Sequence, residues 1–397
     1  DLGSGVSEII TTYTVTAGNE IGRAPKEWVL QGSNDNSNWT SLDTKTNEIT
    51  WRTFETRTYT FSNSTAFRYY RFYNLRGSSS FQRTNNAELE LLKSTGEGSA
   101  YKTINSLTLG NESGTTSPVL SFEFDAISAG GLVLDDGNLT VYTGSTITHI
   151  GNSVSESAKI QITVSTGNAT IGGTIQASAK GFLGGYGQGS KANTSSSGNG
   201  GGAYGGEGGK GEVQYGGSVY GSITQPEDWG SGGQGYNNDY RGGTGGGSIK
   251  LTVAGTTTIG GSIAANGGNF LSSLGDSGGS GGSIYLTTGI LSGAGSVTAN
   301  GGNANSNGGS GGGGRVAVHY STNSFTGTIA SYGGETGYGY GAAGTIYLKD
   351  SAETNGNLII DNNDKLNTWD FRTGKTEINS SITFKTITLR NYGNLEV

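Results

Sequence analysis

The sequence lacks cysteine and methionine altogether and contains only 3 prolines and 2 histidines among its 397 residues. Without cysteine the chain has no disulfide, no thiolate metal site and no cysteine nucleophile. Hydrophobic residues make up only 31% of the chain, and no run of 18 apolar residues spans a membrane. The sequence therefore predicts a thin core and no membrane span in this part.

Charged residues are also scarce, at 14%, and sum to a net charge of −7. Lysine and arginine do not cluster, as phosphate binding requires, so nucleic acid is excluded as a partner. His149 and His319 have no neighbours at metal-ligand spacing, and no phosphate-binding, nucleophile or zinc motif has its required context. The sequence predicts no catalytic residue and no enzyme.

Glycine, in contrast, supplies 75 residues. It does not follow the strict triplet of collagen, and Val, Ile, Thr and Tyr alternate through the glycine-rich part, which disorder does not require. Alternation without a helical period predicts an all-β chain.

Residues 1–93 form the first predicted domain. Alternating segments such as 10–16, 27–31 and 67–73 indicate strands separated by turn-rich pieces. A compact antiparallel sandwich or jelly roll is the physical interpretation.

Three motifs of this domain, PKEWVLQGSNDNSNWTSLDT (25–44), RTYTFSNSTAFRYYRFYNL (57–75) and NNAELELL (85–92), resemble the discoidin, or coagulation-factor C-type, galactose-binding-like domain. In that family the DLGSG motif lies inside the domain, so the resemblance implies a domain that is incomplete at its N-terminus. It also implies a structural Ca²⁺ held in part by Ala87 and Glu88. Glu88 as an ordinary surface carboxylate is the alternative.

The resemblance further implies sugar binding through loops at one end of the sandwich. Aromatic rings stack on apolar sugar faces, and planar donors reach vicinal hydroxyls. The loop residues that could do this are Arg23, Trp51, Arg76, Phe81 and Arg83. Trp28 and Trp39 lie within the strand motifs and are expected in the core.

Residues 156–366 contain repeats of one template with two short strands. The leading apolar anchors are Ile160, Ile249, Ile284, Val316 and Ile346, and the second anchors are Ile175, Ile263, Val297, Ile329 and Leu358. The last four leading anchors are 35, 32 and 30 residues apart. This spacing predicts a right-handed parallel β-solenoid in which each coil stacks on the next.

Runs of glycine separate the strands at 200–202, 205–206, 242–247, 278–282 and 308–314. Glycine allows positive φ and close backbone approach. The runs could therefore be tight solenoid corners, or polyglycine-II-like helices packed side by side, which resemble the polyglycine sandwiches of some phage receptor-binding adhesins. An insertion at 183–243 adds tyrosines and Trp229, either as exposed adhesive contacts or as cover for the glycine backbone.

The whole glycine-rich region resembles one that recurs in large secreted bacterial surface proteins, and it covers most of 150–397. Residues 94–155 are expected to be a strand-rich connector or the first solenoid coils, and 367–397 to be further solenoid strands cut at the C-terminus. The predicted fold class is all-β, with a partial discoidin-like jelly-roll sandwich followed by a glycine-rich parallel β-solenoid.

These features favour an extracellular or cell-surface structural and adhesive protein. Its expected partners are a polysaccharide or cell-surface glycan and, through strand addition at its ends, further copies in a fibre. A carbohydrate-active enzyme with an accessory binding module and a phage or virus receptor-binding fibre are the alternatives. Carboxylate pairs such as Asp135-Asp136 leave the enzyme open, because solenoids host polysaccharide lyases and hydrolases.

Overall fold

The computed structural model describes residues 7–17, 24–51, 55–77, 86–93, 102–113, 117–122, 131–151, 153–191, 199–235, 242–270, 276–335, 338–365, 374–378 and 381–397. For 74–77, 86–93 and 102–103 it describes the backbone alone. The described residues form strands and no helix, so the all-β prediction is confirmed. The chain divides into two compact units, Asp1–Ala100 (unit 1) and Tyr101–Val397 (unit 2).

Unit 1 consists of two three-stranded antiparallel sheets. Its strands are β1 (Ile10–Ala17), β2 (Pro25–Ser33), β3 (Thr40–Lys45), β4 (Thr56–Thr60), β5 (Tyr69–Gly77) and β6 (Asn86–Lys93). The strand order is β4-β1-β6 in one sheet and β3-β2-β5 in the other. Every pairing within them is antiparallel.

The two sheets of unit 1 pack face to face through aromatic side chains. Tyr13 of β1 is 0% exposed and Trp28 of β2 is 1% exposed, and their rings meet edge to face with centroids 6.5 Å apart. Trp28 Nε1 donates to Tyr13 Oη at 2.8 Å, and Tyr13 Oη donates to Asp43 Oδ2 at 2.8 Å. Since a buried indole N–H requires an acceptor, these bonds fix how the sheets meet.

Unit 2 is a parallel β-solenoid of about 8 turns over residues 107–390. Its strands are β7 (Lys102–Ile104), β8 (Leu107–Leu109), β9 (Val119–Phe122), β10 (Leu132–Leu134), β11 (Leu139–Val141), β12 (Thr146–His149), β13 (Ile160–Val164), β14 (Ala169–Ile171), β15 (Thr174–Gln176), β16 (Ser248–Ile259), β17 (Ser262–Ala264), β18 (Ser283–Gly293), β19 (Ser296–Thr298), β20 (Arg315–Asn323), β21 (Thr328–Ala330), β22 (Thr345–Asp350), β23 (Asn357–Asp361), β24 (Thr376–Glu377), β25 (Thr386–Arg390) and β26 (Leu395–Glu396).

Two sheets run along the solenoid. The larger has 12 strands, with the path β25-β23-β22-β20-β18-β16-β13-β10-β7, and β8, β11 and β14 attached alongside. The smaller has 6 strands in the order β21-β19-β17-β15-β12-β9. Among the described strands, β24 and β26 pair only with each other.

The predicted anchors stack from coil to coil. Ile249 pairs with Ile160 on one side and Ile284 on the other, and the row continues through Val316 to Ile346. The second anchors form another row in the smaller sheet, at Ile175, Ile263, Val297 and Ile329. Their side chains alternate with outward-facing polar residues and form one continuous core, because strand side chains change face at every residue.

The last repeat departs from the predicted template. Leu358 was expected in the row of second anchors, but β23 returns antiparallel to β22 within the larger sheet, with Leu358 opposite Tyr347. Only six residues, 351–356, separate these two strands. A connection this short joins antiparallel strands readily, whereas a parallel crossover needs a dozen residues or more.

Asparagine side chains link the corners of successive coils. Asn266 Oδ1 accepts from the amide of Asn300 at 2.7 Å, and Asn300 Oδ1 accepts from the amide of Tyr332 at 2.8 Å. A second such row runs from Asn269 through Asn303 to Glu335, each bond being 2.8 Å long. The recurring ANGGN sequence thus satisfies backbone amides where the strands end.

The glycine runs form hydrogen bonds with a period of three residues. Along 277–282, successive amides donate to three neighbouring segments in turn and then repeat. The bonds are Ser277 to Gln234, Gly278 to Gly309, Gly279 to Gly268, Ser280 to Ser231, Gly281 to Gly312 and Gly282 to Ala265, from 2.7 to 3.0 Å long. Three residues per turn is the repeat of a polyproline-II-type helix.

Segment 277–282 also accepts hydrogen bonds from three further segments, through amides of Gly202, Gly243, Gly246 and Gly302. It is therefore surrounded on all sides by other segments. We call the assembly of segments 199–209, 230–235, 242–247, 265–268, 277–282, 299–302 and 308–314 the glycine bundle. Of the two interpretations of the runs, side-by-side helices describe this arrangement.

Glycine is required in the bundle for space. A Cβ on Gly278 would lie 2.0 Å from the carbonyl oxygen of Gly302, and one on Gly281 would lie 2.0 Å from that of Ala299. None of the described glycines in the five runs has a positive φ. Of the two properties that glycine offers, these runs therefore use close backbone approach and not positive φ.

Candidate functional site

The outward face of the sheet β3-β2-β5 in unit 1 carries a stack of planar side chains. The guanidinium carbon of Arg71 lies 4.0 Å from the ring centroid of Trp39 and 4.8 Å from that of Tyr73. Arg71 Nε donates to Gln31 Oε1 at 2.9 Å, and Gln31 Nε2 donates to Ser41 Oγ at 3.1 Å. We call Gln31, Trp39, Ser41, Arg71 and Tyr73 the planar surface.

The alternation of the strands positions this surface. Leu30 and Phe72 pack in the core, so their neighbours Gln31 and Arg71 point to the other face, where the two residues pair directly across β2 and β5. Tyr73 is 45% exposed. Two rings hold the guanidinium flat, which reduces the entropy that Arg71 would lose on binding a ligand.

Trp39 was expected in the core because it lies within a strand motif. It is instead half-buried on the outward face, under Arg71, while Trp28 is in the core as expected. Trp39 directly precedes β3, where the alternation of inward and outward positions has only just begun. A Trp beside an outward Arg across two strands was the missed signal.

Trp51, one of the predicted sugar-binding residues, is 4% exposed and belongs to the core of unit 1. Its Nε1 donates to the carbonyl oxygen of Pro25 at 2.5 Å, and the Arg57 guanidinium carbon lies 4.1 Å from its ring centroid. In this structure the ring has no free face for a sugar to stack on.

The other predicted site residues are described partly or not at all. Arg23, Phe81 and Arg83 lie outside the described residues, and Arg76 lies on β5 where only the backbone is described. Ala87 and Glu88 lie on β6, with Glu88 opposite Thr16 of β1, and again only the backbone is described. Calcium binding at Ala87 and Glu88 stays a prediction. Elsewhere in the described part of the chain, no three His, Asp or Glu side chains meet as a metal site would require.

The aromatic residues of the insertion mostly cover the glycine bundle. Tyr204 and Trp229 are 0% exposed, whereas Tyr215 is 51% exposed. Tyr236 and Tyr240 lie outside the described residues. The buried rings supply apolar surface that glycine itself lacks, which agrees with the interpretation of these residues as cover.

Arg315, a buried cation that sequence reasoning missed, lies beside these rings at 2% exposure. Its guanidinium carbon is 5.5 Å from the Tyr204 ring centroid, Nε donates to the carbonyl oxygen of Tyr220 at 2.9 Å, and Nη1 donates to Thr345 Oγ1 at 3.2 Å. Burial lowers the pKa of this guanidinium. Since its contacts are to backbone and neutral groups, they indicate a structural role.

No family model and no curated protein matches the chain significantly. The discoidin resemblance and the resemblance to bacterial surface proteins therefore stay resemblances. The described residues contain no helix of the length and hydrophobicity that crossing a membrane takes.

Proposed function

We propose that the chain is a non-catalytic structural and adhesive element of an extracellular or cell-surface protein. The hydrogen-bond pattern of the glycine bundle supports the structural part. In a simple solenoid each coil contacts only its neighbours, so coils can detach one at a time. The bundle adds bonds between distant segments, since Gly202 donates to Gly278 and accepts from Gly312.

Single-molecule pulling on the full chain tests this proposal. If the bundle links the coils, residues 199–314 should unfold in one step that releases about 40 nm of chain, at up to about 3.6 Å per residue. Coils outside the bundle, such as that from Leu132 to Ile162, should detach singly and release about 11 nm each. A uniform series of short steps through 199–314 would contradict the structural proposal.

The planar surface supports carbohydrate binding as the adhesive function. Sugars present apolar C–H faces to aromatic rings and hydroxyl groups to planar donors. Trp39, Arg71 and Tyr73 combine both chemistries in one stack, in which Tyr73 is the exposed ring and Trp39 supports the guanidinium. Glutamine and serine beside the stack add hydrogen-bonding groups.

A glycan array probed with the full chain tests this function. Arg71→Ala or Tyr73→Ala should weaken binding to any retained glycan by about tenfold or more, which corresponds to about 1.4 kcal/mol. Arg68→Ala is the matched control, because Arg68 also stacks on a tyrosine ring, that of Tyr69 at 4.8 Å, but is not part of the planar surface. Equal binding by all three variants would place the site elsewhere.

The absence of catalysis is part of the proposal and is tested separately. Any retained polysaccharide is incubated with the chain and assayed for new reducing ends and for unsaturated sugars. Release of either would favour the carbohydrate-active enzyme. Assembly into a fibre is a further prediction, and imaging of the purified protein, where uniformly monomeric particles would count against it, is its test.

A further inference from the structure

Residues 220–229 form a segment that crosses the outer face of the larger sheet, and we call it the clasp. It contacts five successive strands or the residues just before them. Four of these are hydrogen bonds or ion pairs: Trp229 Nε1 to the carbonyl oxygen of Ala158 before β13, Glu227 Oε1 to Lys250 Nζ on β16, the carbonyl oxygen of Asp228 to Ser283 Oγ on β18, and the carbonyl oxygen of Tyr220 to Arg315 Nε on β20. At β22, Ile223 belongs to the same buried hydrophobic cluster as Tyr347.

Both histidines of the chain touch this one segment. The His149 ring stacks on the Trp229 ring, with centroids 5.9 Å apart and an angle of 26° between the planes. His319 Nε2 lies 3.0 Å from the carbonyl oxygen of Thr224 and donates to it, since a carbonyl only accepts. The clasp is thus attached to the solenoid by one imidazole at its end and one near its middle.

The site of His149 suits a neutral ring. The side chain is 0% exposed, and its Nδ1 donates to the carbonyl oxygen of Ile150. Nε2 has no hydrogen-bond partner in the described part of the chain, and it faces Gly247, where a Cβ would lie only 2.2 Å away. A proton on Nε2 would create a buried cation without an acceptor, which is strongly unfavourable.

The surrounding charges do not offset this cost. Lys180 lies near His149 and Lys349 lies near His319, and each disfavours a second positive charge. The acidic groups nearby are engaged: Glu156 accepts from the Trp229 amide at 2.7 Å and pairs with Lys159 at 3.2 Å, and Glu227 pairs with Lys250 at 2.7 Å. Tyr285 and Tyr347 flank His319 with neutral rings.

We propose that the clasp is an acid-sensitive latch, which detaches from the sheet when His149 and His319 take up protons. Opening the clasp removes the Trp229 ring from His149 and uncovers the half-buried His319, so that water can solvate both imidazolium ions. For His319 this hydration has to outweigh the hydrogen bond to the Thr224 carbonyl that the open state gives up. It also uncovers the row of aromatic rings formed by Tyr285, His319 and Tyr347 on the outer face of the sheet.

The direction of the pH effect follows from burial. Desolvation lowers the pKa of His149 from 6.5 to about 4 in the closed state, and it lowers that of His319 as well. Because the open state binds protons more tightly, its population rises as the pH falls from 6.5 towards 4. Full solvation of His149 alone would raise the opening equilibrium about 30-fold between pH 7.5 and pH 5.

Oxidative footprinting of the full chain tests the latch, with Trp229 as the reporter and Trp28 as the internal reference. Both indoles are buried, at 0% and 1% exposure, and Trp28 belongs to unit 1, which has no histidine. Oxidation of Trp229 relative to Trp28 should rise as the pH is lowered from 7.5 to 5. This acid-induced rise should be smaller in His149→Gln and absent in the double variant that also carries His319→Gln. Glu227→Gln, which changes a carboxylate of the clasp, is the control and should still show the rise.

Two results would overturn the proposal. One is a Trp229 oxidation rate that does not change between pH 7.5 and 5. The other is a rise confined below about pH 4.5, where carboxylates titrate. Both criteria are measured on the unsubstituted chain, so they apply even if the histidine variants fail to fold.

Discussion

Substitution of Gly281 by alanine is the most direct test of the glycine bundle. The new Cβ would lie 2.0 Å from the carbonyl oxygen of Ala299, and that same oxygen accepts a 2.7 Å hydrogen bond from the Gly314 amide. Relief of the clash therefore has to move Ala299 away from Gly314. We expect overpacking to cost about 1–3 kcal/mol and the buried, unpaired amide about 1–3 more, or about 2–6 kcal/mol in total.

Gly260→Ala is the matched control for this substitution. Gly260 is exposed, its φ lies outside the left-handed region, and the nearest atom to an added Cβ is the Ile171 carbonyl oxygen at 3.9 Å. Alanine there should leave stability unchanged or raise it by about 0.4–1 kcal/mol, because it restricts the unfolded chain.

Native-state hydrogen exchange is the suitable assay, since a solenoid need not unfold in a single step. Amides of 277–282 should exchange about thirtyfold faster or more in Gly281→Ala, whereas amides of the smaller sheet near Ile175 should change less. A loss of protection below tenfold, or one equal to that of Gly260→Ala, would refute the steric argument and the packing that it assumes.

Three further outcomes are expected. Asn300→Ala should lower stability by about 1–3 kcal/mol in thermal unfolding, because the Tyr332 amide loses its acceptor, and recovery with Asp at the same position would support that cause. Tyr13→Phe should lower it by about 1–3 kcal/mol in urea unfolding of unit 1, since the buried Trp28 Nε1 loses its acceptor, and an unchanged midpoint would show that the bond contributes nothing. Between pH 6.5 and about 4 the unfolded chain protonates His149 before the folded one does, so unit 2 should lose about 3 kcal/mol as the pH falls, and a flat profile in denaturant titrations would contradict the burial of this ring.

The stacked rows of apolar anchors could be predicted from sequence, because each row depends on local alternation of apolar and polar residues and on the recurrence of that pattern in every coil. Ile249, Ile284 and Val316 recur at similar intervals and flank the same glycine pattern, and they pair in register. Leu358 matched the same pattern but lies on a strand that turned back, because the short linker before it decides its direction. The spacing of apolar anchors alone does not take the length of this linker into account.

The glycine bundle was harder to predict, because its sequence signal is a three-residue period that lies within the much longer repeat of the coils. Ser277, Ser280 and Ser283 are three residues apart, and the glycines between them meet carbonyl groups from other segments. That period is visible in the sequence, but the identity of the neighbours is not, since Gln234 and Gly309 are distant in the chain.

The sequence prediction of the site can be compared with the structure at one residue only, because the side chains of the other predicted sugar-binding residues lie outside the described part of the chain. The resemblance directed attention to loops, and Trp51, the loop residue whose side chain is described, is in the core. The planar surface depends on a contact between Trp39 and Arg71 across two strands, which no local pattern shows. The spacing of the two histidines gave no reason to connect them, and their shared contact with the clasp required the fold.

The corner between the smaller sheet and the glycine runs is a point where the chain accepts inserted sequence while the strands on either side keep their register. The coil from Ile160 to Ile249 contains the whole insertion, yet these two residues pair in register as directly as Ile284 and Val316 do in a coil less than half as long. New sequence can therefore enter at this corner without disturbing the stacked strands. Exposed positions of the insertion, such as Tyr215, could therefore vary while its buried bundle segments and the stacked strands stay unchanged.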